Sequence, residues 1–236
     1  MPGGERETLR GELVARQLSE QLDSRFGPDR RLRILEVGLA AGPHSVRLAR
    51  AGHEVTALEP DPARSAALRH ALVDDPLRVQ RRVHLVAGDC PDTGAHFPPG
   101  SFDVVLCHGA LIPLPQPDPL LAGLARVLAP GGLLSLLVRN ADALAMRPGR
   151  AGDWTAALAA FDSPAQPDRF SNLTRTLADL GVPVHSWYGV GVFTDPAPAA
   201  SDRRNREQLL AAEERAGRTD PYRAIADLLH VCGVRG

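Results

Sequence analysis

The sequence contains no lysine. All 27 of its basic residues are arginines, they face 28 acidic residues, and the net charge is −1. With alanine, glycine and proline abundant, this usage reads as coding bias in a GC-rich genome and carries no functional weight. A dedicated nucleic-acid binder shows a basic surplus or stripe, and acids match bases throughout this chain. Cysteine is also scarce. Cys90, Cys107 and Cys232 are single and widely spaced, which suits neither a disulfide framework nor a zinc site. No metal is therefore expected. Long apolar runs are missing too: the opening MPGGERETLRGEL is charged and resembles no secretory segment. No window approaches the roughly 20 apolar residues that cross a bilayer. A cytoplasmic protein with no membrane partner is the expectation.

What is present is the material of one α/β domain. At 236 residues, with 44% hydrophobic and 23% charged residues, the chain can bury one full core with a small cap, and two independent domains would be a tight fit. Leu9, Leu13, Val14, Leu18 and Leu22 recur at helical spacing over residues 7–24, predicting an N-terminal amphipathic helix within 1–26. Short apolar runs at 32–37, 54–58, 83–87, 102–107 and 133–138 predict five strands. Helical stretches fall between them, at 43–51, 61–74 and 118–128. Asp61-Pro62 supplies a cap and a first-turn proline, and Pro130-Gly131-Gly132 marks a turn before the fifth strand. Residues 141–181 read as a cap of a loop and two helices, at 152–161 and 171–180. Strands at 183–194 and 228–234 flank a polar helix at 203–216. PLPQPDP at 113–119 reads as a loop over the strand ends. Alternating strands and helices imply a mainly parallel sheet covered on both faces.

Open sheets of this kind bind ligands at the carboxyl ends of their strands. Three features meet there. Glu36-Val37-Gly38-Leu39-Ala40-Ala41-Gly42 follows the first strand, and its small residues let a backbone approach a ligand closely. Glu59-Pro60 ends the second strand, where a carboxylate can accept both hydroxyls of a ribose. Gly88-Asp89-Cys90 follows the third, where an acid can take an adenine amino group. Each feature alone is equally a tight turn or a helix cap; the three in register point to a nucleoside-containing cofactor.

With these motifs the chain resembles, over residues 8–235, the class I S-adenosylmethionine-dependent methyltransferases. The resemblance implies a Rossmann-like, seven-stranded, mostly parallel sheet. It also implies S-adenosyl-L-methionine as cofactor and S-adenosyl-L-homocysteine as product. Its cofactor residues fall on Arg10, Glu36, Gly38, Leu39, Ala40, Gly42, Glu59, Pro60, Gly88, Asp89, Cys90 and His108. An NAD-linked dehydrogenase also places an acid after its second strand, but it rarely carries the turn seen here as Leu128-Ala129-Pro130-Gly131-Gly132, and the short first loop lacks its third-glycine spacing.

Within that class the chain is similar to the tRNA 5-carboxymethoxyuridine methyltransferases. Thr8-Leu9-Arg10 falls on that family's N-terminal helix, whose Arg reaches the methionine carboxylate. His108 matches its turn after strand four, Asn140-Ala141 follows strand five, and Gly152-Asp153-Trp154 matches a Gly-Asn-Phe segment. The departures lie on the acceptor side: Ile112-Pro113 replaces an acid and a Trp, the cap's lysine-rich insertion is absent at 162–170, and Gly191 replaces an Arg. Phosphate-neutralising cations are missing where an anticodon loop would need them. The reading is therefore O-methylation of a small-molecule acceptor, a carboxylate among the candidates. A carboxylate attacks without deprotonation; a hydroxyl or amine needs a base, for which His108 and Asp153 are the catalytic candidates. Arg139, Arg147 and Arg150 are candidate acceptor-side cations. tRNA modification and cofactor binding without methyl transfer are the alternatives.

Overall fold

The computed structural model describes residues 2–38, 44–111, 117–162, 170–193 and 203–236. Leu39, Ala40 and Gly42, Ile112-Pro113 and most of the proline-rich loop lie outside the described residues.

The chain opens with helix α1 (Pro2–Phe26), then strand β1 (Arg33–Val37), α2 (His44–Arg50), β2 (Glu54–Leu58), α3 (Pro62–Ala71) and a short α4 (Leu77–Gln80). It continues with β3 (Val83–Val86), a single-turn α5 (Thr93–His96), β4 (Phe102–Cys107), α6 (Asp118–Val127) and β5 (Leu128–Arg139). The cap follows as α7 (Met146–Arg150), α8 (Trp154–Phe161) and α9 (Phe170–Asp179). The last elements are β6 (Val184–Val190), α10 (Arg203–Ala216) and β7 (Leu228–Val234).

The seven strands form one sheet in the order β3-β2-β1-β4-β5-β7-β6, and only β7 runs against its neighbours. β1 pairs in parallel with both β2 and β4, so strand order reverses at β1, which is where such sheets open a ligand crevice. Ile34, Leu35 and Val37 are fully buried, because a central parallel strand is covered on both faces. One face packs Leu120, Leu121 and Leu124 of α6 and Leu173 and Leu177 of α9. The opposite face packs Leu18 and Leu22 of α1, Val46 and Leu48 of α2, and Leu68 of α3. Each fully buried Leu contributes on the order of 2 kcal/mol.

Helix α3 starts as expected, with Asp61 accepting from Ala63 N at 2.8 Å and Pro62 in its first turn. It stops at Ala71 rather than 74, where Gln80 donates to the carbonyls of Val73 and Asp75 and folds the chain into α4. The Pro130-Gly131-Gly132 turn is absorbed into β5. Leu128 already pairs with Phe102, and the register shifts before Leu133 meets Val104. The extra residues form a bulge. It is tolerated because Gly131 sits at φ 71° and because Gly132 presses on its surroundings, where a Cβ would lie 2.8 Å from the Ala129 carbonyl oxygen. The cap holds one more helix, α7, than the sequence suggests. Among the described residues no helix is long and apolar enough to cross a membrane, and no cluster of His, Cys, Asp and Glu could hold a metal ion.

Candidate active site

The carboxyl ends of β1, β2 and β3 lie side by side. The backbone N–H of Gly38 donates to Leu58 O at 2.9 Å, and that of Glu59 donates to Val86 O at 3.0 Å. Parallel pairing thus continues one residue past each strand and sets the three strand-end motifs at one level. Gly38 has φ 69°, and a Cβ there would meet Ala110 Cβ at 2.9 Å, so only glycine fits this turn. Glu36 is fully buried; the Ser45 hydroxyl donates to its Oε2, while Oε1 has no partner among the described residues. Burial raises its carboxyl to about 7, helped by the charge of Glu59 and opposed by the Ser45 hydroxyl and N–H.

Glu59 is also buried. Its Oε1 accepts from Asp61 N at 2.8 Å and lies 3.8 Å from Arg64 Nη1. Asp89 is exposed and begins a 3₁₀ turn (Cys90–Asp92) without capping it through its side chain. The adjacent Pro60 is exposed, and Gly88 sits under the His96 ring, which a Cβ would strike at 2.5 Å. Cys90 is buried beneath Gly38, and burial pushes its thiol up to about 11, which makes it a packing group rather than a nucleophile.

His108 leaves β4 into a polar seam between the sheet and helices α1 and α2. Its Nε2 lies 2.8 Å from Ser135 Oγ on β5, which lies 2.7 Å from His230 Nε2 on β7, whose Nδ1 lies 2.8 Å from Gln17 Oε1 on α1. His44, at the start of α2, meets the His108 ring edge-on at 5.1 Å. All three histidines are buried, and desolvation holds His44 at about 4, His230 at about 3 and His108 well below 6.5. The sequence reading missed Gln17, His44, Ser135 and His230. Their signal was a single polar residue on an otherwise apolar face: Gln17 beside Leu13, Val14 and Leu18, Ser135 within Leu133–Val138, and His230 within Leu228–Val234.

Arg10 projects from the same helix as Gln17 and pairs through Nη2 with Asp227, just before β7; its Nε is buried with no partner among the described residues. Asn140 ties the end of β5 to that segment, donating to the carbonyls of Ala224 and Ala226 at 2.9 Å each. Asp153 lies apart from the seam. It is exposed and caps α8, accepting from Ala156 N at 3.0 Å. Arg139, Arg147 and Arg150 are at the cap side of the sheet, and Arg150 donates to Val192 O at 2.9 Å. Gly191 sits at φ 81° just past β6.

Five buried side-chain polar atoms among the described residues have no hydrogen-bond partner, and four of them belong to this region: Arg10 Nε, Gln17 Nε2, Glu36 Oε1 and His108 Nδ1. Buried polar atoms left unpaired cost free energy. Two donors and two acceptors in one seam suit the carboxylate and ammonium of an amino-acid ligand, while Glu59 and Asp89 suit a ribose and a nucleobase amine. The residues present therefore fit an adenosyl amino acid such as S-adenosylmethionine.

The strand order with an antiparallel β7 is that of the class I methyltransferase fold, whose methyl donor is S-adenosylmethionine, and the carboxylates at the ends of β1, β2 and β3 suit that donor. Residues 35–136 match the methyltransferase domain family. The chain is 29% identical over 240 residues to the tRNA 5-carboxymethoxyuridine methyltransferase of Escherichia coli (strain K12), an alignment spanning 95% of the chain and 88% of that protein. Over 108 residues it is 35% identical to a ubiquinone biosynthesis O-methyltransferase of Xanthomonas euvesicatoria pv. vesicatoria, covering 46% of the chain and 43% of the relative. Among solved structures, geranyl diphosphate C-methyltransferase from Streptomyces coelicolor A3(2), crystallised with S-adenosyl-L-homocysteine, superposes with a TM-score of 0.59 at 16% identity. That superposition covers 94% of the chain and 80% of the structure.

Proposed function

We propose that the chain methylates an oxygen of a small-molecule acceptor, and that the oxygen belongs to a carboxylate. Carrying this reading is the state of the two candidate bases. His108 points Nε2 at Ser135 and is buried and neutral, with its basicity suppressed. Asp153 is engaged as the cap of α8. Neither is disposed to take a proton from an acceptor, so the acceptor is one that arrives already ionised. When bound, the cofactor supplies a methyl group activated on a sulfonium, so alignment provides most of the rate. Glu36, Glu59 and Asp89 hold the donor, as do Arg10 and His108, with Gly38, Pro60, Gly88 and Cys90 shaping the surface on which it lies. The alignment with the Xanthomonas O-methyltransferase supports oxygen as the target atom.

The cap supports a small organic acceptor over a polynucleotide. Helix α8 presents Trp154, Leu158 and Phe161 to solvent, an apolar surface where phosphate contacts would call for cations. A second reading, tRNA modification, is favoured by the 29% identity across 95% of the chain. The test is incubation with methyl-labelled S-adenosylmethionine, a panel of aromatic and aliphatic acids, phenols and amines, and bulk tRNA. The expected product is a methyl ester, recognised because alkali releases its label as methanol. Alkali-stable label in a phenol or amine would overturn the carboxylate reading, and label in tRNA would favour the second. Cofactor binding without label in any acceptor would leave only a binding protein.

A further inference from the structure

We infer that Gln17, His230 and Ser135 are positioning residues that fix the tautomer of His108, so that its Nδ1 stands as a bare hydrogen-bond acceptor for the ammonium of the bound amino-acid ligand. Hydrogen counting along the chain gives this polarity. Gln17 Oε1 only accepts, so the His230 nitrogen 2.8 Å away, Nδ1, carries the proton. A neutral imidazole has one N–H, which leaves His230 Nε2 bare. The Ser135 hydroxyl, 2.7 Å distant, therefore donates to it. Ser135 Oγ is then the acceptor for His108, whose Nε2 lies 2.8 Å away and must carry the proton. The one remaining lone pair is on His108 Nδ1, which is buried and has no partner among the described residues.

The ammonium assignment follows from what borders α2. His108 meets His44 there, and Ser45, the next residue, holds Glu36, whose Oε1 is the other buried acceptor without a partner. Two buried acceptors bordering the same helix start suit a group with several N–H donors. The tautomer stands independently of the proposed function; the ligand half rests on it.

The first test is nitrogen-15 NMR of the imidazoles in the ligand-free protein at pH 7.5. His108 is expected with a protonated Nε2 and an unprotonated Nδ1, and His230 with the reverse. A His108 protonated at Nδ1, or an even mixture, would overturn the proposal without reference to methyl transfer. The second is calorimetry with S-adenosylhomocysteine and with its analogue lacking the α-amino group. Ser135→Ala, which removes the hydroxyl that links the two imidazoles and has no part in the ligand contacts, is expected to weaken S-adenosylhomocysteine about tenfold and leave the deaminated analogue unchanged. Equal losses for the two ligands, or no loss, would refute the positioning role. Failure of the unmodified protein to bind either ligand, with the tautomer as expected, would instead refute the methyltransferase reading and the ammonium assignment with it.

Discussion

Ser45 donates its hydroxyl proton to one oxygen of the Glu36 carboxyl, and the other oxygen is buried with no donor to it among the described residues. The carboxyl is therefore half satisfied, and burial holds it at about 7 against an ordinary 4.5. A native pKa above the unfolded one means that the native state binds more protons between those values. Stability then falls as pH rises through that window. A gap of about two and a half pH units corresponds to roughly 3 kcal/mol. Urea denaturation should find Glu36→Gln gaining on the parent by that amount between pH 4.5 and pH 8.5. Saturating S-adenosylhomocysteine should shrink the difference, because a cation at Oε1 favours the ionised carboxylate. A difference that stays flat with pH would show that Glu36 titrates normally.

The buried histidines act in the opposite direction. His44 and His230 sit at about 4 and about 3, and His108 well below 6.5, so below pH 6.5 the unfolded chain takes up protons that the native state refuses. Stability is complete above that pH and falls on acidification, by about 1.4 kcal/mol per pH unit for each such histidine. His44→Asn should lower the pH slope of unfolding free energy between pH 5 and 6 by about one proton. Chemical denaturation at several pH values measures this, and an unchanged slope would mean that His44 is protonated in the native state.

Strand-forming runs made the frame readable from the sequence. β2 and β4 begin and end where Glu54–Leu58 and Phe102–Cys107 predict, and Asp61-Pro62 starts α3 as its chemistry requires. Short-range signals of this kind depend only on neighbours. The same holds for the strand-end motifs of Glu36, Glu59 and Asp89, because a parallel sheet sets successive strand ends at one level. The His108 chain was not readable, since its four members stand 27 to 213 residues apart and meet only when β7 inserts beside β5. Absorption of Pro130-Gly131-Gly132 into β5 was hidden for a similar reason: a bulge is defined by the partner strand.

Arg10 offers a test of geometry against charge. One of its terminal nitrogens is held by Asp227 while Nε is buried with no partner among the described residues, so the guanidinium is pinned with an N–H left for a ligand. Lysine preserves the charge but offers no planar fork. Arg10→Lys should weaken S-adenosylhomocysteine binding about tenfold, on the scale of one lost charge-assisted hydrogen bond. Asp227→Asn should weaken it less, because the arginine keeps its charge. Calorimetry on both variants decides the matter, and an Arg10→Lys variant that bound as tightly as the parent would remove Arg10 from the donor site.

The cap helix α8 carries the acceptor side of the proposal. Trp154, Leu158 and Phe161 recur at i, i+4 and i+7, a spacing that forms one ridge, and they are 68%, 65% and 74% exposed, with only Ala157 of that helix buried. Large apolar side chains this exposed bury little on folding, so truncating them should change stability by no more than about 0.5 kcal/mol. Covering an acceptor would give the same side chains a role in binding. Trp154→Ala and Phe161→Ala should therefore raise KM for a hydrophobic acid acceptor several-fold, while leaving the melting temperature and the affinity for S-adenosylhomocysteine unchanged. Steady-state kinetics with calorimetry separates the two sites. If KM stays constant while both variants turn over normally, the acceptor does not meet this ridge, and the apolar face of the cap loses its place in the choice between a small acid and an RNA.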